Sequence, residues 1–219
     1  MQKIEKEVKG AIFDLDGVLV DTAKYHYLAW KKLAEKLGFN FTEEDNERLK
    51  GISRKQSLEI LLEIGRIKAA EKQKEEWAEE KNKCYVEYLK QLDQNALLEG
   101  TTGYLKALRE KGVKISLGSA SKNAPLILAQ LEIEKYFDAV IDGNCISKAK
   151  PDPEVFLQAA KALGLEPENC VVFEDSLAGI QAAKKGGMKA VGVGNEKNLP
   201  GADYYIQNLG QAKEQKLFI

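Results

Sequence analysis

The 219-residue chain contains one histidine, three cysteines and two methionines, which leaves little material for soft-metal or thiol chemistry. Cys84, Cys145 and Cys170 are odd in number, far apart and outside any CxxC spacing, which argues against a disulfide framework or a zinc site. With His26 the sole imidazole, no His/Cys cluster competes for zinc or iron. Excess charge of one sign is also missing. Thirty-three basic residues face thirty-four acidic ones, so no global field attracts nucleic acid or anionic lipid, and any bound anion needs a local site. No run approaches the ~18 apolar residues of a membrane span, and the charged opening MQKIEKEVKG lacks the apolar centre of a secretory signal. The expectation is a cytoplasmic protein without nucleic-acid or membrane partners, and a monomer. Prolines number only five, and no Pro-rich linker, repeat or low-complexity tract divides the chain.

What is present is enough apolar residue, 44%, to bury a core. At roughly 150 residues per domain, the length suits one large domain or one domain with an insertion. Short apolar runs recur at Gly10 to Phe13, Val113 to Leu117, Ala139 to Ile141, Val171 to Phe173, Ala190 to Val193 and Tyr204 to Ile206. Each reads as a buried strand. Helical spacing separates the later ones, at Gly103 to Lys111, Ala124 to Leu131, Pro153 to Leu163 and Ser176 to Lys185. That alternation predicts an α/β fold with a Rossmann-like parallel sheet covered on both faces.

The alternation breaks once. From Asp21 to about Asn95 the patterns are helical only: Tyr25 to Leu37 closed by Gly38, Glu43 to Leu49, Ser53 to Ile64, and Lys68 to Leu92. This predicts an all-helical insertion over 21–95 within a core made of 1–20 and 96–219. Most charges of the last helix read as solvated, with Trp77, Tyr85, Val86 and Leu89 turned inward.

Ligands of open parallel sheets sit beyond the carboxyl ends of the strands. Asp14 and Asp16 follow the first strand, Ser119 and Ser121 the second, and Glu174 and Asp175 the fourth. Four converging carboxylates repel one another unless a divalent cation joins them, and hard oxygen donors point to magnesium. Ser119 and a lysine suit phosphoryl oxygens. Of Lys148 and Lys150, one reads as merely solvated, and the neighbouring Pro151 favours Lys150 for the site. These parts fit phosphoryl transfer.

The run AIFDLDGVL resembles the first motif of haloacid dehalogenase-like (HAD) phosphotransferases, SLGSAS the second, Lys150 in KAKPDP the third and VVFEDS the fourth. The insertion segments DTAKYHYLAW, LKGISRKQSLEILL and EEKNKCYVEYL are similar to the cap of the β-phosphoglucomutase group within that superfamily, and SASKNAP continues the likeness. The resemblance implies a HAD fold with a helical cap and a sugar-phosphate substrate. It implies Asp14 as nucleophile, Asp16 as general acid and base, and one Mg²⁺ on Asp14, the Asp16 carbonyl, Glu174 and Asp175. Ser119 and Lys150 would bind the transferring phosphoryl group. Gly51, Ile52, Ser53, Arg54 and Ser57 in the cap, with Ala120, Ser121, Lys122 and Asn123 in the core, would line the substrate cavity, Arg54 taking a distal phosphate. Thr22, His26, Trp30 and Lys81 would complete it, His26 and Lys81 also helping to move the cap or Asp16 into place. The implied reaction interconverts β-D-glucose 1-phosphate and β-D-glucose 6-phosphate, with β-glucose 1,6-bisphosphate as activator and intermediate. A sugar-phosphate phosphatase shares the core motifs and remains an alternative. A non-catalytic sugar-phosphate binder is disfavoured because both Asp14 and Asp16 are retained.

Overall fold

The computed structural model describes residues 8–49 and 52–218. Six strands form one sheet: β1 (Gly10–Phe13), β2 (Lys114–Gly118), β3 (Ala139–Ile141), β4 (Cys170–Glu174), β5 (Lys189–Val193) and β6 (Tyr204–Ile206). Their order is β3-β2-β1-β4-β5-β6 and every neighbouring pair is parallel. The central strand is in register with both neighbours, Phe13 lying level with Leu117 on one side and Phe173 on the other. The chain therefore delivers Asp14 beside Glu174 as it leaves the sheet, with the Asp14 N–H still bonded to the Phe173 carbonyl at 3.0 Å.

Period-two alternation assigns the strand residues to two apolar layers. Ala11, Phe13, Val171, Phe173 and Val191 face α5 (Thr101–Glu110), α6 (Ala124–Gln130) and α9 (Leu209–Glu214). Ile12, Cys170, Val172 and Ala190 face α7 (Glu154–Leu163) and α8 (Leu177–Lys185). Both faces are buried, which is why these strands read as continuous apolar runs rather than alternating ones.

Between β1 and α5 lie α1 (Ala23–Lys36), α2 (Glu43–Glu47), α3 (Arg54–Ile64) and α4 (Glu71–Leu89). Trp30, Leu33, Phe41, Leu58, Leu61 and Leu62 give them an apolar cluster of their own, while Ala29, Tyr85 and Leu89 join the cluster on the sheet. The last of these helices starts three residues later than its periodicity predicts. The preceding helix ends through Arg66 at φ 54, with the Ile67 N–H bonded back to Leu62, and the chain is extended at Ala70 before helix resumes. Helix α9 had no counterpart in the sequence reading. Its six residues are too few to show periodicity, although Asn208 caps it by accepting from the Gln211 N–H. No helix among the described residues is long and apolar enough to cross a membrane.

Candidate active site

The turn after β1 carries Asp14, Asp16 and Gly17. The last has φ +79, and a Cβ there would run into the Asp175 carboxylate. Glycine thus serves two needs, the left-handed turn and the close approach of Asp175. A Cβ on Gly179 would likewise strike the Glu174 carboxyl, so the first turn of α8 can seat that side chain against its backbone. Ser176 fixes it there. Its N–H and hydroxyl donate to Glu174 Oε2 at 2.7 and 2.8 Å, and the same hydroxyl oxygen accepts from the Gly179 N–H as the helix cap.

Of the two candidate lysines, Lys150 is the one that meets the carboxylates. It is fully buried, and its Nζ lies 2.6 Å from Asp14 Oδ1 and 2.6 Å from Glu174 Oε1. Lys148 is exposed and only approaches Asp152, at 3.8 Å. Burial opposes charge on Lys150, but the two carboxylates outweigh it and hold the ammonium above the usual lysine range.

One oxygen each from Asp14, Glu174 and Asp175 lie within 4.8 Å of one another. Burial, opposed by Lys150 and reinforced by Glu174 and Asp16, pushes the Asp14 carboxyl up to about 7. One ammonium is too little positive charge for this group of acids, and the all-oxygen donor set fits a hard divalent cation. The Asp16 side chain stands outside that trio. Its Oδ1 accepts from the Thr22 hydroxyl instead. Thr22 precedes α1, and its side chain caps no helical N–H. Burial raises the Asp16 carboxyl, and the Thr22 hydrogen bond holds it back.

A cleft of about 840 Å³ opens in front of these groups, lined on the sheet side by Asp14, Asp16, Asp175, Ser119, Ala120, Ser121, Lys122 and Asn123. Ser119 is buried, and its Oγ accepts from the Ser121 N–H. The helical side contributes His26, Trp30, Ile52, Ser53, Arg54, Ser57 and Lys81. Thr22, Lys150 and Glu174 stand behind this surface, each buried and bonded to a residue of the site. Gly51 lies outside the described residues. Ser53 caps α3 in a reciprocal capping box with Gln56, which sets Arg54 in the first turn. Arg54 Nη1 lies 3.9 Å from Glu79 Oε2.

Lys81 is the buried charge on α4, beside the buried Tyr85 and Leu89. Its Nζ is 2.9 Å from His26 Nδ1 and sits over the rings of Trp30 and Tyr85, at 4.5 and 4.6 Å. Trp30 is thereby both core and cleft wall.

Set beside known proteins, residues 8–187 match the model of the haloacid dehalogenase-like hydrolases. The chain belongs to the haloacid dehalogenase-like hydrolase family. Within it, the chain is 45% identical over 202 residues to the β-phosphoglucomutase of Bacillus subtilis, spanning 91% of this chain and 89% of that one. It is 34% identical to a phosphorylated-carbohydrates phosphatase of Thermotoga maritima, over 84% of each. Among solved structures, β-phosphoglucomutase from Clostridium difficile superposes with a TM-score of 0.91 at 42% identity, covering 96% of this chain and 97% of that one.

For this family member, sequence reading missed two residues that act through others. Tyr85 stacks on the His26 ring at 4.0 Å, and Asn82 Oδ1 accepts from Asn123 Nδ2 at 2.9 Å, joining α4 to the loop after β2. The signal was available: Ala78, Lys81, Asn82 and Tyr85 follow i, i+3, i+4, i+7 spacing and share one helix face.

Proposed function

We propose that this chain is a β-phosphoglucomutase, interconverting β-D-glucose 1-phosphate and β-D-glucose 6-phosphate through β-glucose 1,6-bisphosphate. The observation that carries the reading is that 45% identity to the Bacillus subtilis enzyme spans 91% of the chain, insertion included. In this reading residues 21–95 act as the cap and 1–20 with 96–219 as the catalytic core.

Asp14 attacks phosphorus with a carboxylate oxygen, and the bond from phosphorus to the sugar oxygen breaks as the new one forms. Asp16 gives its proton to the departing sugar oxygen. In the other half-reaction it takes a proton from the free hydroxyl of a sugar monophosphate as that oxygen attacks the phosphorus carried on Asp14 and the bond from phosphorus to Asp14 breaks, giving the 1,6-bisphosphate that the first step consumes. Lys150 and Ser119 hold the phosphoryl oxygens. Asp14, Glu174, Asp175 and the Asp16 carbonyl would hold a magnesium ion, which when bound supplies positive charge beside the phosphoryl group. Arg54 presents a fork for the second phosphate, with Ser121, Lys122 and Asn123 opposite. The sugar must turn around between half-reactions, which a cap able to open permits.

The test is an assay of β-glucose 1-phosphate with magnesium and a trace of the 1,6-bisphosphate. Glucose 6-phosphate without free phosphate is the expected product. Stoichiometric phosphate release would make the chain a phosphatase, like its Thermotoga maritima relative.

A further inference from the structure

One carboxylate that does not line the cleft holds the segment that carries Lys150. Between β3 and α7, residues 142–153 form no strand or helix, yet Lys150 leaves this stretch with its Nζ 2.6 Å from both Asp14 Oδ1 and Glu174 Oε1. A loop places a side chain that closely only when its own backbone is tied to something rigid. Glu154, the first residue of α7, supplies the tie. Its Oε2 accepts from the Ser147 hydroxyl at 2.9 Å and from the Lys148 N–H at 2.7 Å, and the Ser147 N–H lies 3.1 Å from both of its oxygens. One turn along the helix, Gln158 Nε2 donates to Oε1 at 3.1 Å and keeps the carboxylate turned toward the loop. Negative charge also suits the first turn of a helix. These hydrogen bonds, that of the Ser147 N–H foremost, hold the Glu154 carboxyl below the usual carboxylate range, so it accepts as a full anion at neutral pH.

We infer that Glu154 is a positioning residue: it fixes the backbone two residues before Lys150 and thereby sets the lysine between Asp14 and Glu174, a deepening of the proposed reaction that rests on Lys150 holding the phosphoryl group. The partners of Glu154 all lie in the loop and in α7, so it acts on the reaction through the loop. Lys150 is fully buried and meets two acceptors at once, and misplacing such a group by about 1 Å can cost roughly 100-fold in rate. Ser147 and Lys148 also line the cleft, and the choice of substrate separates that route from the one through Lys150.

The experiment compares wild type, Glu154→Gln and Glu154→Ala on β-glucose 1-phosphate and on 4-nitrophenyl phosphate, which has no sugar and no second phosphate. Lys150 serves the reacting phosphoryl group of both. Glu154→Ala should therefore lower kcat/KM by similar factors on each, roughly 10- to 100-fold, with the glutamine variant in between. A loss confined to the sugar would overturn the assignment and make Glu154 a support for the cleft lining. Lysine acylation of the folded protein, mapped by mass spectrometry, reads Lys150 directly. In wild type the buried Lys150 should react slowly and the exposed Lys148 fast, and Glu154→Ala should speed Lys150 severalfold. Lost activity with Lys150 as protected as in wild type would refute the role. Cys170, fully buried in β4, is the control and should stay unreactive toward a thiol reagent. If Cys170 and Lys150 become reactive together, Glu154 is merely structural. Should Glu154→Ala not fold, Glu154→Gln, which keeps one acceptor oxygen, carries both comparisons. If wild type releases phosphate instead of forming glucose 6-phosphate, the mutase reading falls, while both comparisons stand with phosphate release as the readout.

Discussion

Lys81 Nζ lies 2.9 Å from His26 Nδ1, and the two basic groups share a pocket that suppresses charge on both. Burial, then Arg54, push the Lys81 ammonium down to about 7 against the attraction of Asp16. Burial, then Lys81 and Arg54, hold the His26 imidazole well below its usual value. Near pH 8 the pair is therefore largely neutral, and a phosphate dianion entering the cleft favours the protonated ammonium. Binding of the sugar phosphate at pH 8 should take up a fraction of a proton, measured by calorimetry in buffers of different ionisation enthalpy. The uptake should vanish near pH 5.5 and in Lys81→Met; a pH-independent uptake would refute the coupling. The sign for stability follows from a folded value below the unfolded one, near 10.4. Between about pH 10 and 7 only the unfolded chain gains the proton, so stability falls as pH falls through that window and is level below it.

Lys150 pairs with Asp14 and Glu174 at once, and all three are buried. Removing the cation leaves two carboxylates facing each other in a low-dielectric site. Lys150→Met should cost about 3–5 kcal/mol of stability, the range for breaking a buried ion pair. Adding Asp14→Asn removes one of the stranded charges, so the double variant should be more stable than the sum of the single losses. Denaturant unfolding of the four proteins checks this, and simple additivity would count against the shared-charge account.

The sheet and the polar edge at the carboxyl ends of its strands were legible in the sequence because both depend on local signals. Short apolar runs, three of them leading to Asp14, Ser119 and Glu174, can be read along the chain, and β1, β3 and β6 begin and end where their runs do. What was not legible depends on distance in sequence. That Asn82 would reach Asn123 needs the helical insertion folded onto the sheet.

Asp16 should be separable from the metal site. Its side chain stands outside the trio of Asp14, Glu174 and Asp175, so Asp16→Asn should lower turnover by roughly 10²–10⁴-fold while leaving metal affinity within about threefold. Thr22→Val removes the hydrogen bond that holds the Asp16 carboxyl down. The limb of the pH–rate profile that reports Asp16 should then move to higher pH. An unmoved limb, or unchanged turnover in Asp16→Asn, would remove Asp16 from the acid–base role.

Arg54 meets Glu79 at 3.9 Å, with the arginine side chain a quarter exposed and the glutamate about half exposed. A pair of that length and exposure contributes less than about 1 kcal/mol, so the guanidinium is available to a better anion. A phosphate offers two oxygens to the fork, and hydrogen bonds to a charged partner contribute about 1.5–3 kcal/mol. Arg54→Ala should therefore weaken binding of bisphosphorylated sugar roughly 10- to 100-fold, seen as KM, with a much smaller effect on kcat. Glu79→Gln removes the internal competitor and should tighten the same binding by no more than about fivefold. A small aryl phosphate has no second phosphate to lose, so its transfer to Asp14 should respond little to either change. An equal loss on the aryl phosphate in Arg54→Ala would place Arg54 at the reacting phosphoryl group and not at the distal one.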